Sequence, residues 1–167
     1  NSITYGFDNF FTTYKIIGEN TERSKDYGYI KLQQSYDLRD ESSDEPFSDI
    51  YARIGWFPFP RTILKYKTYY DVYENKFNTH NFETGYKSSR GDIITVDYSY
   101  NEASDIEQIN ASLKAHISHN WIAGASVEHS ISQDETSSAT GSLTYQALCW
   151  SVKFETRYTP EDTSFLI

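Results

Sequence analysis

The sequence has no methionine, a single cysteine and no apolar run of the length that a membrane-spanning helix needs. Such a helix takes about 20 mostly apolar residues, so its absence excludes helical spanning but leaves open spanning by strands of about 9–11 residues. With one cysteine, the chain cannot form a disulfide with itself. Basic residues are also scarce, 15 against 24 acidic ones. The formal charge of −9 argues against nucleic acid as a partner, because binding phosphate requires a basic surface.

A secretory leader is missing as well. The first residues, NSITYGFDNFF, already follow a strand pattern, with no basic segment and apolar segment before them. The last residues, TSFLI, stop in the middle of a strand pattern. We therefore expect residues 1–167 to be a processed piece of a longer protein.

Aromatic residues are abundant where aliphatic ones are few. They make up 17% of the chain, with 15 Tyr and 10 Phe, although the mean hydropathy is only −0.66. A disordered chain is poor in aromatics, so this composition indicates folded structure. It fits sheets with one polar and one apolar face, including barrels with lipid outside and water inside.

Alternation of apolar and polar residues covers almost the whole chain and predicts about eleven strands and no helix. The predicted strands cover residues 2–15, 27–38, 48–57, 62–73, 78–88, 92–101, 109–118, 121–131, 139–147, 149–158 and the segment from about 163. Short sequential spacing favours an all-β antiparallel meander of about 10–11 strands, part of a transmembrane outer-membrane β-barrel. A soluble barrel or sandwich with an ordinary core is the alternative.

The connections are predicted to alternate in length. FPFPR, SSRGD, SHN and ALC are short, whereas DLRDESSDEPFSD, YENKFNTHN, NEASDIE and QDETSSAT are longer and polar. Outer-membrane barrels have short turns on the periplasmic side and longer loops outside, so this rhythm favours a barrel. The segment IGENTERSKDYG is an exception, since it is long where the rhythm predicts a short turn.

The two faces of the predicted strands differ in chemistry. We expect the apolar face to contact lipid, with Trp121 and Trp150 near the short-turn ends, where an interfacial aromatic girdle belongs. The polar face is expected to line a water-filled lumen. Its candidate charged residues are Lys31, Arg53, Lys65, Lys67, Asp97, Lys114, Glu128, Lys153, Glu155 and Arg157.

Motifs for catalysis or cofactor binding are not found in the sequence. The histidines lie on separate strands or turns, without cysteines or carboxylates at the spacing of metal ligands. Phosphate-binding glycine loops and nucleophile or metalloprotease motifs do not occur. We therefore predict no enzyme activity, no cofactor and no metal site.

The single cysteine lies where the alternation changes phase. Near it, apolar residues occupy odd positions at Leu143, Tyr145 and Ala147, then even positions at Trp150, Val152 and Phe154. Cys149 falls outside the apolar set, which favours a turn at 147–149. Cys149 has no histidine base nearby in the sequence, and a lone cysteine is commonly a small buried apolar residue.

Four segments together resemble the LptD family of LPS-assembly outer-membrane proteins. They are NSITYGFDNFF from residue 1, YIKLQQSYDL from 29, KYKTYYDVYENKFNTHNFETGYKSSRGDIITVDYSY from 65, and GSLTYQALCWSVKFETRY from 141. The resemblance covers the whole chain and implies that residues 1–167 are the C-terminal fragment of a larger barrel. Family members carry a tyrosine, small residues, a cysteine and an aromatic near the C-terminus, matched here by Tyr145, Cys149 and Trp150. Many members have adjacent cysteines, whereas this chain has Leu148.

The resemblance also implies function, partners and location. The substrate is lipopolysaccharide, inserted into the outer leaflet of the cell outer membrane of a Gram-negative bacterium. The partners are the plug lipoprotein LptE, a periplasmic bridge protein and the lipid bilayer. Cys149 is implied to bond to a cysteine of a periplasmic domain outside this sequence, in a compartment that permits disulfides. One edge of a lateral seam is implied for Thr163, Ser164, Phe165, Leu166 and Ile167.

Two other functions remain open at this point. A generic porin-like channel would show similar strands and a similar polar face. A soluble β-rich binding module would share the aromatic content but would not depend on detergent.

Overall fold

The computed structural model describes residues 1–16, 22–38 and 45–166, and it is built from strands. None of these ranges contains a helix that could cross a membrane. The eleven strands are β1 Ser2–Ile16, β2 Glu22–Asp37, β3 Ile50–Trp56, β4 Thr62–Asp71, β5 Lys76–Lys87, β6 Ile93–Asn101, β7 Ile106–His116, β8 Trp121–Ser130, β9 Glu135–Gln146, β10 Ser151–Thr159 and β11 Asp162–Leu166.

All eleven strands form one sheet in sequence order, and every neighbouring pair is antiparallel. The predicted all-β meander is therefore confirmed. Most predicted strand ends lie within a few residues of the observed ones. The largest differences are at β2, which begins at Glu22, and at β7 and β9, which begin at Ile106 and Glu135.

The sheet is a single layer. Within the described ranges, contacts between strands occur only between neighbours in sequence, and β1 does not meet β11, so the sheet is not closed. No hydrophobic side chain in this part of the chain is buried. A soluble sandwich buries the inner faces of two packed sheets, which this arrangement lacks. Strands that face lipid need no such core.

The pairing register assigns each residue to one of the two faces, since paired residues lie on the same side of a sheet. One row runs Ile30, Ile54, Tyr66, Phe82, Tyr98 and Ile109 across six strands. The neighbouring row on the opposite side carries Lys31, Arg53 and Lys67. We call these sides the apolar face and the polar face.

Aromatic side chains lie at both ends of the strands on the apolar face. Trp56, Trp121 and Trp150 lie at or beside the connections 57–61, 117–120 and 147–150, which are all at the same end of the strands. The rings of Trp121 and Tyr145 are 5.0 Å apart, and those of Tyr145 and Trp150 are 5.2 Å apart. At the other end of the strands, paired rings include Tyr36–Phe47 and Tyr70–Phe77. Two aromatic bands around an aliphatic middle are typical of outer-membrane strands.

Most connections at the end of the strands away from the tryptophans are shorter than predicted. Residues 72–75, 102–105 and 131–134 form tight turns, and only the segment between Asp37 and Ile50 is long. The prediction of alternating loop lengths is therefore wrong for these three connections. Its error has a simple cause: the polar residues after each turn already belong to the next strand, which begins at Lys76, Ile106 or Glu135.

These three turns share one conformation. Asn75, Asp105 and Asp134 end them with φ of 53°, 50° and 51°, a left-handed geometry that Asn and Asp tolerate better than most residues. The last residue of the preceding strand accepts a backbone N–H from inside each turn. Asp71 accepts from Tyr73 at 2.8 Å, Asn101 from Ser104 at 3.2 Å, and Ser130 from Gln133 at 3.3 Å. A polar residue followed four positions later by Asn or Asp thus sets the turn.

Candidate functional site: the polar face of the sheet

The polar face gathers all ten charged residues that the alternation assigned to a lumen. The pairing register places them on the same side: Lys31, Arg53, Lys65, Lys67, Asp97, Lys114, Glu128, Lys153, Glu155 and Arg157. Many of these side chains are half-buried although no second layer covers them, whereas large apolar side chains on the other side are exposed. Such a difference is expected of a sheet that curves towards its polar face. That this face lines a lumen remains a prediction.

Cations concentrate on strands β2 to β4. Lys31, Arg53 and Lys67 are direct cross-strand neighbours, and Lys65 lies two positions from Lys67 on the same face. We call these four residues the basic row. Lys31 pairs with Asp8 at 2.9 Å, and Lys65 pairs with Glu83 at 2.8 Å.

Aromatic rings take the place of carboxylates beside the other two cations. Among the described residues, neither Arg53 nor Lys67 has an acidic partner within ion-pair distance. The Arg53 guanidinium carbon lies 5.8 Å from the centre of the Tyr29 ring, and the Lys67 Nζ lies 5.3 Å from that of Tyr69. These distances are within the range of cation–π attraction.

Gly55 makes room for one of these rings. It pairs with Tyr29 across β2 and β3, and a Cβ added to Gly55 would lie within 2.3 Å of the Tyr29 ring. The ring therefore lies directly over the glycine. This arrangement keeps Tyr29 beside Arg53.

Arg53, Lys65 and Lys67 of the basic row line a depression of about 480 Å³. Its far side carries Glu83 and Asp97, which face each other across β5 and β6, and Asn110. The Asn110 side-chain oxygen is buried without a hydrogen-bond partner within the described residues. The depression is thus basic on one side and acidic on the other.

Small hydroxyl side chains dominate the polar face further along the sheet. On β7 to β9 the paired rows carry Ser112, Ser126, Thr140, Ser142 and Thr144. They line or border a second depression of about 450 Å³. The charged residues here differ from those of the basic row: Lys114, Lys153 and Arg157 are exposed, and Lys153 pairs with Glu155.

A cluster centred on Asp92 lies at the same end of the strands as the tryptophans. The sequence analysis did not identify it. Asp92 accepts hydrogen bonds from the backbone N–H of His116 at 2.7 Å, from the Ser88 hydroxyl at 2.9 Å and from the Arg90 guanidinium at 3.0 Å. These bonds, the one from His116 foremost, hold the pKa of Asp92 well below its ordinary value. Gly91, with φ of 93°, shapes the turn. The available signal was the SSRGD segment, read only as a short turn.

The structure places Cys149 in the connection 147–150, as the change of alternation indicates. Its thiol is free and exposed, and the Ala147 N–H donates to the Trp150 carbonyl at 2.9 Å across the turn. Leu148 beside it is fully exposed. A bond to another domain remains a prediction.

The candidate seam residues Thr163–Leu166 lie in β11, which pairs with β10. In the described part of the chain the other edge of β11 has no partner strand. Ile167 lies outside the described residues. The role of this edge in a seam remains a prediction.

The histidines lie on β5, β7 and β8 and in the connection 117–120. No three residues among His, Cys, Asp and Glu in the described ranges are grouped to hold a metal ion. His80 lies on the apolar face among aromatic rings and contacts the Tyr66 hydroxyl through Nδ1 at 2.7 Å. His129 lies near Thr136, with a ring nitrogen 3.4 Å from its hydroxyl.

Comparison with known families decides the identity. A family profile described as "LptD: LPS transport system D" matches residues 1–121, most of the chain. The chain belongs to the LptD family. At this level it is the barrel part of an LPS transport and assembly protein of the outer membrane, and the LptD family is one of transport proteins. No match was found among curated proteins. The segment around Cys149 lies outside residues 1–121, the part of the chain that matches the family profile.

Proposed function

We propose that residues 1–167 form the C-terminal part of a larger LptD barrel, which inserts lipopolysaccharide into the outer leaflet of the outer membrane. The main support is the family match together with a single-layer sheet that is apolar on one side and polar on the other. A sheet with these two faces separates lipid from water. Transporting a lipid with a large sugar head requires such a separation.

The chemistry of the two faces explains how transport works without a covalent step. Moving each CH₂ group of an acyl chain from lipid into water costs about 0.8 kcal/mol of free energy. A sugar head, in contrast, cannot enter lipid without losing its hydrogen bonds. A barrel that opens between two strands lets the head remain beside the polar face while the acyl chains slide into lipid. The free edge of β11 supplies one side of this opening.

The two ends of the strands have different roles in this proposal. The connections 57–61, 88–92, 117–120 and 147–150 lie at the end that faces the periplasm, and Cys149 bonds there to a periplasmic domain of the same protein. A periplasmic bridge protein delivers the lipid at this end of the strands. The plug lipoprotein LptE occupies the lumen next to the polar face.

A generic outer-membrane channel is the second candidate, since its strands would have the same two faces. Depletion of the full-length protein distinguishes the two functions. We expect surface lipopolysaccharide to fall, measured by labelling intact cells, and to recover when the full-length protein is supplied again. Supplying an unrelated porin-like barrel is the control. Unchanged surface lipopolysaccharide after depletion rules out the proposal.

A further inference from the structure

We propose that the basic row and its flanking tyrosines form a binding site for a phosphorylated sugar. The inference rests on the proposed function, because it identifies which part of the sugar head the polar face recognises. The site comprises Lys31, Arg53, Lys65 and Lys67 with the rings of Tyr29 and Tyr69. Its ligand is an anion attached to a sugar ring.

The first argument is electrostatic. Lys31, Arg53 and Lys67 lie side by side on three neighbouring strands, where like charges directly opposite each other are destabilising. Asp8 compensates only Lys31. Arg53 and Lys67 are half-buried and have no acidic partner among the described residues. An anionic ligand would relieve this repulsion, and phosphate accepts hydrogen bonds from several such donors at once.

The second argument concerns the rings. Tyr51 and Tyr69 pair across β3 and β4 with ring centres 5.2 Å apart, on one side of the row that holds Arg53 and Lys67. Tyr29 lies over Gly55 on the other side of that row. Aromatic faces pack against the C–H faces of sugar rings, and their hydroxyl groups reach the sugar hydroxyls. Cations beside such rings therefore fit a phosphorylated sugar better than a free phosphate ion.

The remainder of the polar face lacks this combination. Lys114 and Arg157 are exposed, and their row neighbours include Gly124, Thr140 and Ser164, with no ring among them. These two cations have no acidic partner among the described residues, as is true of Arg53 and Lys67. They provide a matched control, with one arginine and one lysine on the same face.

The test measures ligand binding by the full-length protein in detergent. The probes are glucosamine 1-phosphate, glucosamine and inorganic phosphate, and the variants are R53Q/K67Q and K114Q/R157Q. We expect glucosamine 1-phosphate to bind more tightly than either other probe. R53Q/K67Q should weaken its binding about tenfold or more, since two charge-assisted contacts are lost. K114Q/R157Q should bind it like the unchanged protein.

Several results would overturn the site. Equal weakening in both variants would mean that only the overall charge of the face matters, and unchanged binding in R53Q/K67Q would exclude the basic row. Equal binding of inorganic phosphate would exclude recognition of the sugar. Because the variant removes like-charge repulsion, its melting temperature should not fall; a marked fall would contradict the electrostatic argument.

The binding test and the depletion test fail independently. Loss of surface lipopolysaccharide on depletion, with normal binding by R53Q/K67Q, would overturn the site and leave the transport function standing. Selective binding at the basic row, with unchanged surface lipopolysaccharide on depletion, would overturn the transport function and leave an anion site.

Discussion

The two faces of strand β8 show how differently the two sides of the sheet are stabilised. Ala123, Ala125 and Val127 pair with Ala111, Leu113, Ala139 and other apolar residues, yet none of them is buried. One position along, Ser126 and Glu128 pair with Ser112, Asn110 and Ser138. The polar face brings hydrogen-bonding groups together across strands, as where the Thr95 and Ser112 hydroxyls lie 2.7 Å apart. The apolar face has no partner in the described residues and requires an apolar solvent.

Charge substitutions on β8 give the strongest test of this difference. In the full-length protein, Val127→Arg should destabilise the barrel in lipid by about 2–4 kcal/mol, the cost of an arginine on the lipid side near the bilayer centre. Ser126→Arg, one residue away on the polar face, should have little effect. Denaturant unfolding in lipid vesicles measures both. Equal destabilisation by the two variants would contradict the assignment of the faces.

Two glycines sharpen the comparison within the polar face. Gly55→Ala should destabilise the protein by about 1–3 kcal/mol, because the added methyl overlaps the Tyr29 ring and overpacks the site. Gly85→Ala is the control, since its Cβ would lie 3.6 Å from the nearest atom, an ordinary contact. It should be neutral or stabilising by about 0.4–1 kcal/mol. Unfolding measurements that show the same effect for both variants would mean that Tyr29 is not held over β3.

A substitution of Asp92 tests the hydrogen bonds of the connection 88–92, at the end of the strands. Its folded-state pKa is lowered, so its contribution to stability is present above the unfolded pKa of about 3.9 and is lost as the pH falls through the folded value. Asp92→Asn should therefore destabilise the protein at neutral pH and make its stability less sensitive to acidification below about pH 4. Thermal unfolding between pH 7 and strongly acidic pH measures this. Asp105→Asn, the same substitution in an exposed turn, is the control for the general effect of removing one carboxylate.

Cys149 gives the smallest effect, with no predicted change in the stability of the sheet. In the full-length protein we expect its thiol to be alkylated only after reduction, if Cys149 forms the proposed bond to a periplasmic domain. Mass spectrometry of alkylated peptides with and without reductant measures this, and Cys149→Ser identifies the signal. If Cys149 is alkylated equally in both conditions, no interdomain bond exists.

Alternation predicts the strands and faces well because every strand has two chemically different environments. It fails at the turns, where local hydrogen bonds decide. Asn75 and Asp105 close tight turns by adopting left-handed φ, and polar residues after them look like loop residues in the sequence. The basic row could not be found either, since Lys31, Arg53 and Lys67 are far apart in sequence. Only the register of β2, β3 and β4 makes them neighbours.

The restriction of contacts to strands adjacent in sequence has a consequence for how the sheet forms. Every hairpin except β2–β3 can close on a short connection, so most of the entropy of loop closure is lost in small steps. Among the described strands, no pairing requires the long-range encounter that slows many β-proteins. The three repeated tight turns favour a single register in their hairpins. The sheet is therefore suited to growing one hairpin at a time from an existing edge, with each new strand templated by the previous one.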